Sequence, residues 1–127
     1  MSLSGSLSES KHRLERALRT RGLTVNVEGR EFKVRAPHGA YSLSFMPGNR
    51  RILISHYVAV DPEMRGKGFG KRYLQQREEI AKEAGVNLLL ATVRNDNEAE
   101  VHLLRTNGWR RMINRRSTGV SLWGKLL

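Results

Sequence analysis

The stretch that most constrains this chain is Val58-Ala59-Val60-Asp61-Pro62-Glu63-Met64-Arg65-Gly66-Lys67-Gly68-Phe69-Gly70-Lys71. An apolar run from Arg51 to Val60 reads as a central strand, and Asp61-Pro62 breaks it. Three alternating glycines form a loop. Apolar residues then recur at helical spacing (Phe69, Tyr73, Leu74, Ile80, Ala81, Ala84), which predicts a helix from Phe69 to Ala84. Such a strand, loop and helix build an anion site. Glycines let the backbone approach a ligand, the first helical N–H groups lack intrahelical acceptors, and the helix dipole adds positive potential. Arg65, Lys67 and Lys71 add full charges. Pyrophosphate is the natural guest. A Walker A loop does not fit, because Arg65 stands at its first glycine and Arg72 at its Ser/Thr. A dinucleotide fingerprint fits at Gly66 and Gly68 but meets Lys71 at its last glycine, and the antiparallel strands expected upstream argue against a βαβ unit.

The rest of the chain alternates short elements. A helix is expected from a cap at Ser8 or Ser10 to Arg21, with Leu14 and Leu18 on one face and Gly22 as its stop. Met1 to Ser8 reads as a mobile tail. Strands are expected at Leu23–Val27, Phe32–Ala36 and Tyr41–Met46, separated by turns at Glu28-Gly29-Arg30, Pro37-His38-Gly39 and Pro47-Gly48-Asn49. This pattern predicts an antiparallel meander. Beyond the glycine loop, Val86–Val93 reads as a strand buried on both faces, Glu98–Thr106 as a short helix, and Trp109–Asn114 and Val120–Gly124 as closing strands. The 127 residues suffice for one domain, 1–127, burying roughly two-thirds of the surface its unfolded chain would expose.

Composition narrows the function classes. There is no cysteine, which excludes disulfides, thiolate zinc sites and a cysteine nucleophile and fits a cytoplasmic protein. No apolar run approaches the roughly 20 residues of a membrane span, and the polar start is not a secretory signal, so no membrane partner is expected. Lys and Arg number 23 against 12 Asp and Glu, a net charge of +11. Between Arg105 and Leu127 there are basic residues and no acidic one. A polyanion is therefore an expected partner: nucleic acid, an acidic protein segment or a phosphorylated cofactor.

Arg65, Gly68 and Gly70 also satisfy R/Q-x-x-G-x-G/A. With the strand-to-loop passage from Val58 to Gly68, and with Val93, Asn97, Gly108 and Trp109 at the matching later positions, the region Arg51 to Arg110 resembles the GNAT superfamily of N-acetyltransferases. The resemblance implies a mixed α+β fold, a mostly antiparallel sheet splayed at the cofactor strand and flanked by helices. It implies acetyl-CoA as cofactor, and direct attack of an amine on its thioester in a ternary complex. Gly66, Lys67, Gly68, Phe69 and Gly70, flanked by Arg65 and Lys71, would cradle the pyrophosphate. Val58 and Val60 would bond the pantetheine arm through their backbone, and Asn97 would contact it.

The chain departs from that family where catalysis is concerned. The tyrosine that would protonate the leaving thiolate is Leu104, and the two positions that carry a basic glutamate are Ile54 and Thr92. His56, two residues from Ile54 and hence on its face of the strand, is the substitute base. Ser55 and Tyr57 then face the other way unless a bulge intervenes. Glu100 could face the groove but, like His102, reads as a solvated helix position, and His12 and His38 read as peripheral. Only one helix is read before the meander, where the family has a strand and two helices. An open groove and a bulky acceptor, such as a protein segment, are expected. Two other readings stand beside this one: a silent module that binds acyl-CoA or a partner, and a nucleic-acid binder using Arg105 to Arg116 with Trp109 as a stacking ring.

Overall fold

The computed structural model describes residues 6–127. Helix α1 is Leu7–Thr20, and its N-cap is Ser6, whose Oγ accepts the Glu9 N–H at 3.2 Å. The cap therefore precedes both expected serines, and Leu7 and Ser8 are helical rather than part of a tail. Residues 1–5 of that expected tail lie outside the described residues. Strands β1 (Thr24–Glu28), β2 (Glu31–Ala36), β3 (Gly39–Met46) and β4 (Asn49–Val60) form the antiparallel meander. A short turn of 3-10 helix at Pro62–Met64 leads to α2 (Phe69–Glu83), β5 (Leu88–Arg94), α3 (Glu98–Thr106), β6 (Arg110–Arg115) and β7 (Val120–Leu126).

The strands form one sheet in the order β1-β2-β3-β4-β5-β7-β6. Every neighbouring pair is antiparallel except β4 and β5. So β4, α2 and β5 do make a βαβ unit, against the expectation drawn from the meander. A helix of about 22 Å carries the chain back along the sheet, and the next strand then runs parallel. The glycine run is still no dinucleotide fingerprint, since Lys71 remains at the last glycine.

Strand alternation sorts the side chains. Phe32, Val34, Tyr41, Leu43, Phe45, Leu53, Leu89, Ala91, Val93 and Trp123 join Leu14 and Leu18 of α1, Tyr73, Leu74 and Ile80 of α2 and Leu104 of α3 in one buried cluster. All three helices therefore pack on one face of the sheet. The other face bears Ser44, Ile54, His56 and Thr92, none of them buried. Gly39 is held by close approach: a Cβ there would sit 2.5 Å from Ala59 O and 2.8 Å from the Tyr73 ring. Among the described residues no helix is long and apolar enough to cross a membrane.

The Arg21 guanidinium grips both oxygens of Glu83, at 2.9 and 2.6 Å, and ties α1 to α2. That bond holds the Glu83 carboxyl below its ordinary value of 4.5. The tie is complete above this value and is lost as pH falls through the lowered one. Glu83→Gln is expected to flatten the fall in melting temperature between pH 5 and pH 3, measured by circular dichroism. An unchanged slope means that this tie does not contribute to acid stability.

Candidate active site

The ladder between β4 and β5 runs from Ile52↔Leu88 to Ser55↔Ala91 and then stops. Past it β4 stays with β3, and β5 stays with β7. The two strands splay, and one edge of β4 is left without a neighbour over its last five residues, His56 to Val60. The Asp61 N–H turns toward β3 and donates to His38 O at 2.8 Å. The Val60 carbonyl faces the other way, where Arg65 Nε donates to it at 3.3 Å. Alternation puts the polar backbone groups of Val58 on the same open edge. Both sequence-predicted strand residues thus offer hydrogen bonds into the split.

A bulge lies beside the split. Leu43 pairs with Ser55 and Tyr41 with Val58, so His56 and Tyr57 together oppose the single Ser42. Ser55 stays buried on the helix face, whereas Tyr57 is 62% exposed instead of turning inward. His56 remains exposed on the open face, its Nε2 2.6 Å from Ser44 Oγ.

The split opens into a cleft of about 190 Å³ lined by His56, Tyr57 and Val58 of β4, Ala91 to Arg94, Asn97, Glu100 and Arg77. This is room for the end of a slender chain, not for a nucleotide. Asn97 also has a structural task, because its Oδ1 accepts the Glu100 N–H at 3.2 Å and caps α3. Glu100, expected in solvent, instead lines the cleft, since the α3 N-terminus is carried to the split by β5. Leu104 is buried in the core. A larger cavity, about 450 Å³, lies at the β3–β4 turn around Phe45, Pro47 and Arg51, away from this chemistry.

The glycine loop stands at the far end of the open β4 edge. Gly66 and Gly68 have φ of +77° and +86°, conformations that glycine adopts without strain, and a Cβ at either would meet nothing within 4 Å. Gly68 is the N-cap of α2, no side chain caps this helix, and its first turn holds no acidic residue. The first N–H to reach back is that of Arg72, on Gly68 O at 3.1 Å. The preceding N–H groups, with exposed Lys67 and Lys71 beside them, fit an anionic ligand. Phe69 does not join this display by its ring, which packs on His38 and Tyr73 at 4.6 and 5.9 Å. His38 is accordingly part of the loop's support rather than peripheral. Gly70 lies in the first turn, 3.5 Å from Leu103 Cδ2 by its would-be Cβ.

Residues 12–109 match the Acetyltransferase (GNAT) family. The chain belongs to this family. It is 30% identical over 59 residues to the L-amino acid N-acyltransferase MnaT of Escherichia coli (strain K12), a stretch covering 46% of this chain and 34% of that protein. The chain thus spans about a third of this curated relative. Among solved structures it is similar to a GNAT acetyltransferase from Elizabethkingia anophelis with acetyl-CoA bound, at TM-score 0.64, 17% identity and coverage of 76% and 75%. It is also similar to the Bacillus subtilis acetyltransferase in complex with CoA, at TM-score 0.63, 18% identity and coverage of 76% for both chains. These likenesses carry the GNAT fold: the splayed, mostly antiparallel sheet with its helices.

Two side chains change standing. Trp109, expected as a stacking ring for bases, is 3% exposed, and its Nε1 donates to Glu78 at 3.3 Å. It offers no ring face to a nucleic acid. Arg77 escaped the sequence reading although it stands in the middle of the buried stripe of α2, between Tyr73 and Ile80. A cation at a core position of an amphipathic helix was the available signal.

Proposed function

We propose that this chain is an acetyl-CoA-dependent N-acetyltransferase, a single domain whose acceptor is an amine on a bulky, anionic partner such as a protein segment. The observation that carries the reading is the alignment of three features. An uncapped, glycine-led helix N-terminus, an unpaired β4 edge and the β4–β5 cleft follow one another. The loop N–H groups would hold the pyrophosphate, the Val58 and Val60 backbones would orient the arm, and the cleft would take its acylated end. The group supplies the activated thioester. Positioning of an amine against that end accounts for much of the rate, since well-oriented intramolecular reactions reach effective molarities of about 10⁵ M or more. The acceptor enters from the open face, where His56 is placed to take a proton from its ammonium and Glu100 lines the same cleft. The net charge of +11 supports an anionic acceptor.

The test is calorimetric titration with acetyl-CoA, followed by thiol release with an acceptor series of small amines and basic or acidic peptides. Binding of one acetyl-CoA per chain with turnover supports the reading. Binding without turnover reduces it to a silent acyl-CoA module, and no binding overturns it. His56→Ala is expected to lower kcat by about 10- to 100-fold with acetyl-CoA affinity unchanged, as removal of a general base does. An unchanged kcat removes His56 from the reaction.

A further inference from the structure

Arg77 is 2% exposed, yet it lines the cleft. Its Nε donates to Tyr73 O at 2.9 Å and its Nη1 to Ser55 Oγ at 2.5 Å, while its guanidinium carbon lies 5.3 Å from the Tyr41 ring centroid. Among the described residues no carboxylate forms an ion pair with it, and Nη2, which has no protein acceptor, is not sealed off from solvent, in keeping with the place of Arg77 in the cleft wall. Ser55 is the last β4 residue still paired with β5. The guanidinium is therefore fixed at the apex of the split, on the helix face, with N–H capacity left over. An arginine so placed stays charged, and a buried cation in no direct ion pair gains when an anionic ligand reaches it. Burial pushes its pKa down from the ordinary value, opposed by Glu100, Tyr41 and Glu78.

We infer that Arg77 is a catalytic residue whose free N–H groups receive the sulfur of coenzyme A as it departs as a thiolate. This rests on the acetyltransferase reading. The acceptor nitrogen forms a C–N bond to the thioester carbonyl carbon, the C–S bond breaks, and its electron pair leaves on sulfur. The ammonium proton passes by way of His56 to solvent on the open face, and sulfur takes a proton from water after release. Leu104 offers no hydroxyl to protonate the sulfur, so charge stabilisation replaces acid catalysis. The alternative guest, a carboxylate on the acceptor, is disfavoured by place. The acceptor meets the open face with His56, whereas Arg77 lies on the buried one, where an arm laid along β4 ends.

Binding of coenzyme A is compared with that of desulfo-coenzyme A, by calorimetry, from pH about 6 to about 10, because an unactivated alkyl thiol ionises above the cysteine value of about 8.5. The charged and titratable groups around the cleft are Arg77 of α2, His56 and Tyr57 of β4, Arg94 of β5 and Glu100 of α3, with Tyr41 beneath. Coenzyme A is expected to bind about tenfold or more tightly than the desulfo compound at the upper pH, the scale of a charge-assisted hydrogen bond. Its thiol should ionise below the free value, read from the thiolate ultraviolet band against the desulfo compound as blank, since a chain without cysteine adds no thiolate of its own. Arg77→Met should erase both effects, and Arg77→Lys should keep the pH dependence. A wild-type ratio near one overturns the inference without any variant, and so does a ratio that survives Arg77→Met. Failure of both compounds to bind instead overturns the acetyltransferase reading itself.

Discussion

Gly70→Asp is expected to weaken acetyl-CoA binding by at least about 100-fold while leaving the fold as stable as before or slightly more so. A carboxylate about 5 Å from a phosphate costs roughly 3 kcal/mol at an effective dielectric of 20, which alone exceeds a hundredfold. The same carboxylate is favourable to the helix. The first turn of α2 holds no acidic residue, so an added Asp gains about 0.3–1 kcal/mol from the dipole. Space does not oppose it, because the new Cβ meets Leu103 Cδ2 at an ordinary 3.5 Å, and φ at Gly70 is not positive. Opposite signs for stability and binding separate a ligand site from a structural loop. Calorimetry with acetyl-CoA and a thermal melt read the two. Retained binding moves the pyrophosphate away from this helix, and a large drop in melting temperature makes the loop a structural element.

Lys125→Met is expected to cost about 2–3 kcal/mol, a fall in melting temperature of roughly 6–12 °C for a chain of this size. Lys125 Nζ donates to Glu78 Oε1 at 2.6 Å and to Asn107 O at 2.9 Å, while Trp109 Nε1 donates to Glu78 Oε2 at 3.3 Å. One lysine thereby closes β7 onto α2 and onto the end of α3. Breaking a buried pair leaves a charge without its partner, for which about 3–5 kcal/mol is usual. Lys125 is 29% exposed in its side chain and Glu78 11%, so water repays part of that. The double variant Glu78→Gln, Lys125→Met should recover about half of the loss, because no orphaned charge remains. Thermal melts of the three variants decide it. If Lys125→Met melts like the wild type, the pair is a surface contact only.

Much of the fold was legible along the chain. The strand boundaries of the meander, the helix opening at Phe69 and Glu98–Thr106 all follow from period and punctuation, which are local. The Ser6 cap was missed because Ser6, Ser8 and Ser10 are equally good cap residues, and no local signal chooses among them. The parallel pairing of β5 with β4 is a long-range choice that no local window contains. At the site, the loop glycines were legible because their conformation is a property of the residue type. The neighbours of Glu100 and Trp109 were not. Glu100 reaches the cleft only because β5 leaves β4, and Trp109 is buried because it joins the core under the helices, where Glu78 accepts its N–H.

By itself the sequence determined a glycine-rich, basic loop on a strand-to-helix passage, a cysteine-free chain of net charge +11, and a leucine without a hydroxyl at position 104. These are matters of residue identity and spacing within a few turns of chain. The tertiary structure alone decided that β4 and β5 part after Ser55 and Ala91, that a bulge turns Tyr57 to the open side beside His56, and that Arg77 stands buried at the apex without an ion pair. Those outcomes depend on how strands distant in sequence share their hydrogen bonds. A splayed sheet is a pairing that stops, and the place where it stops is set by every strand around it.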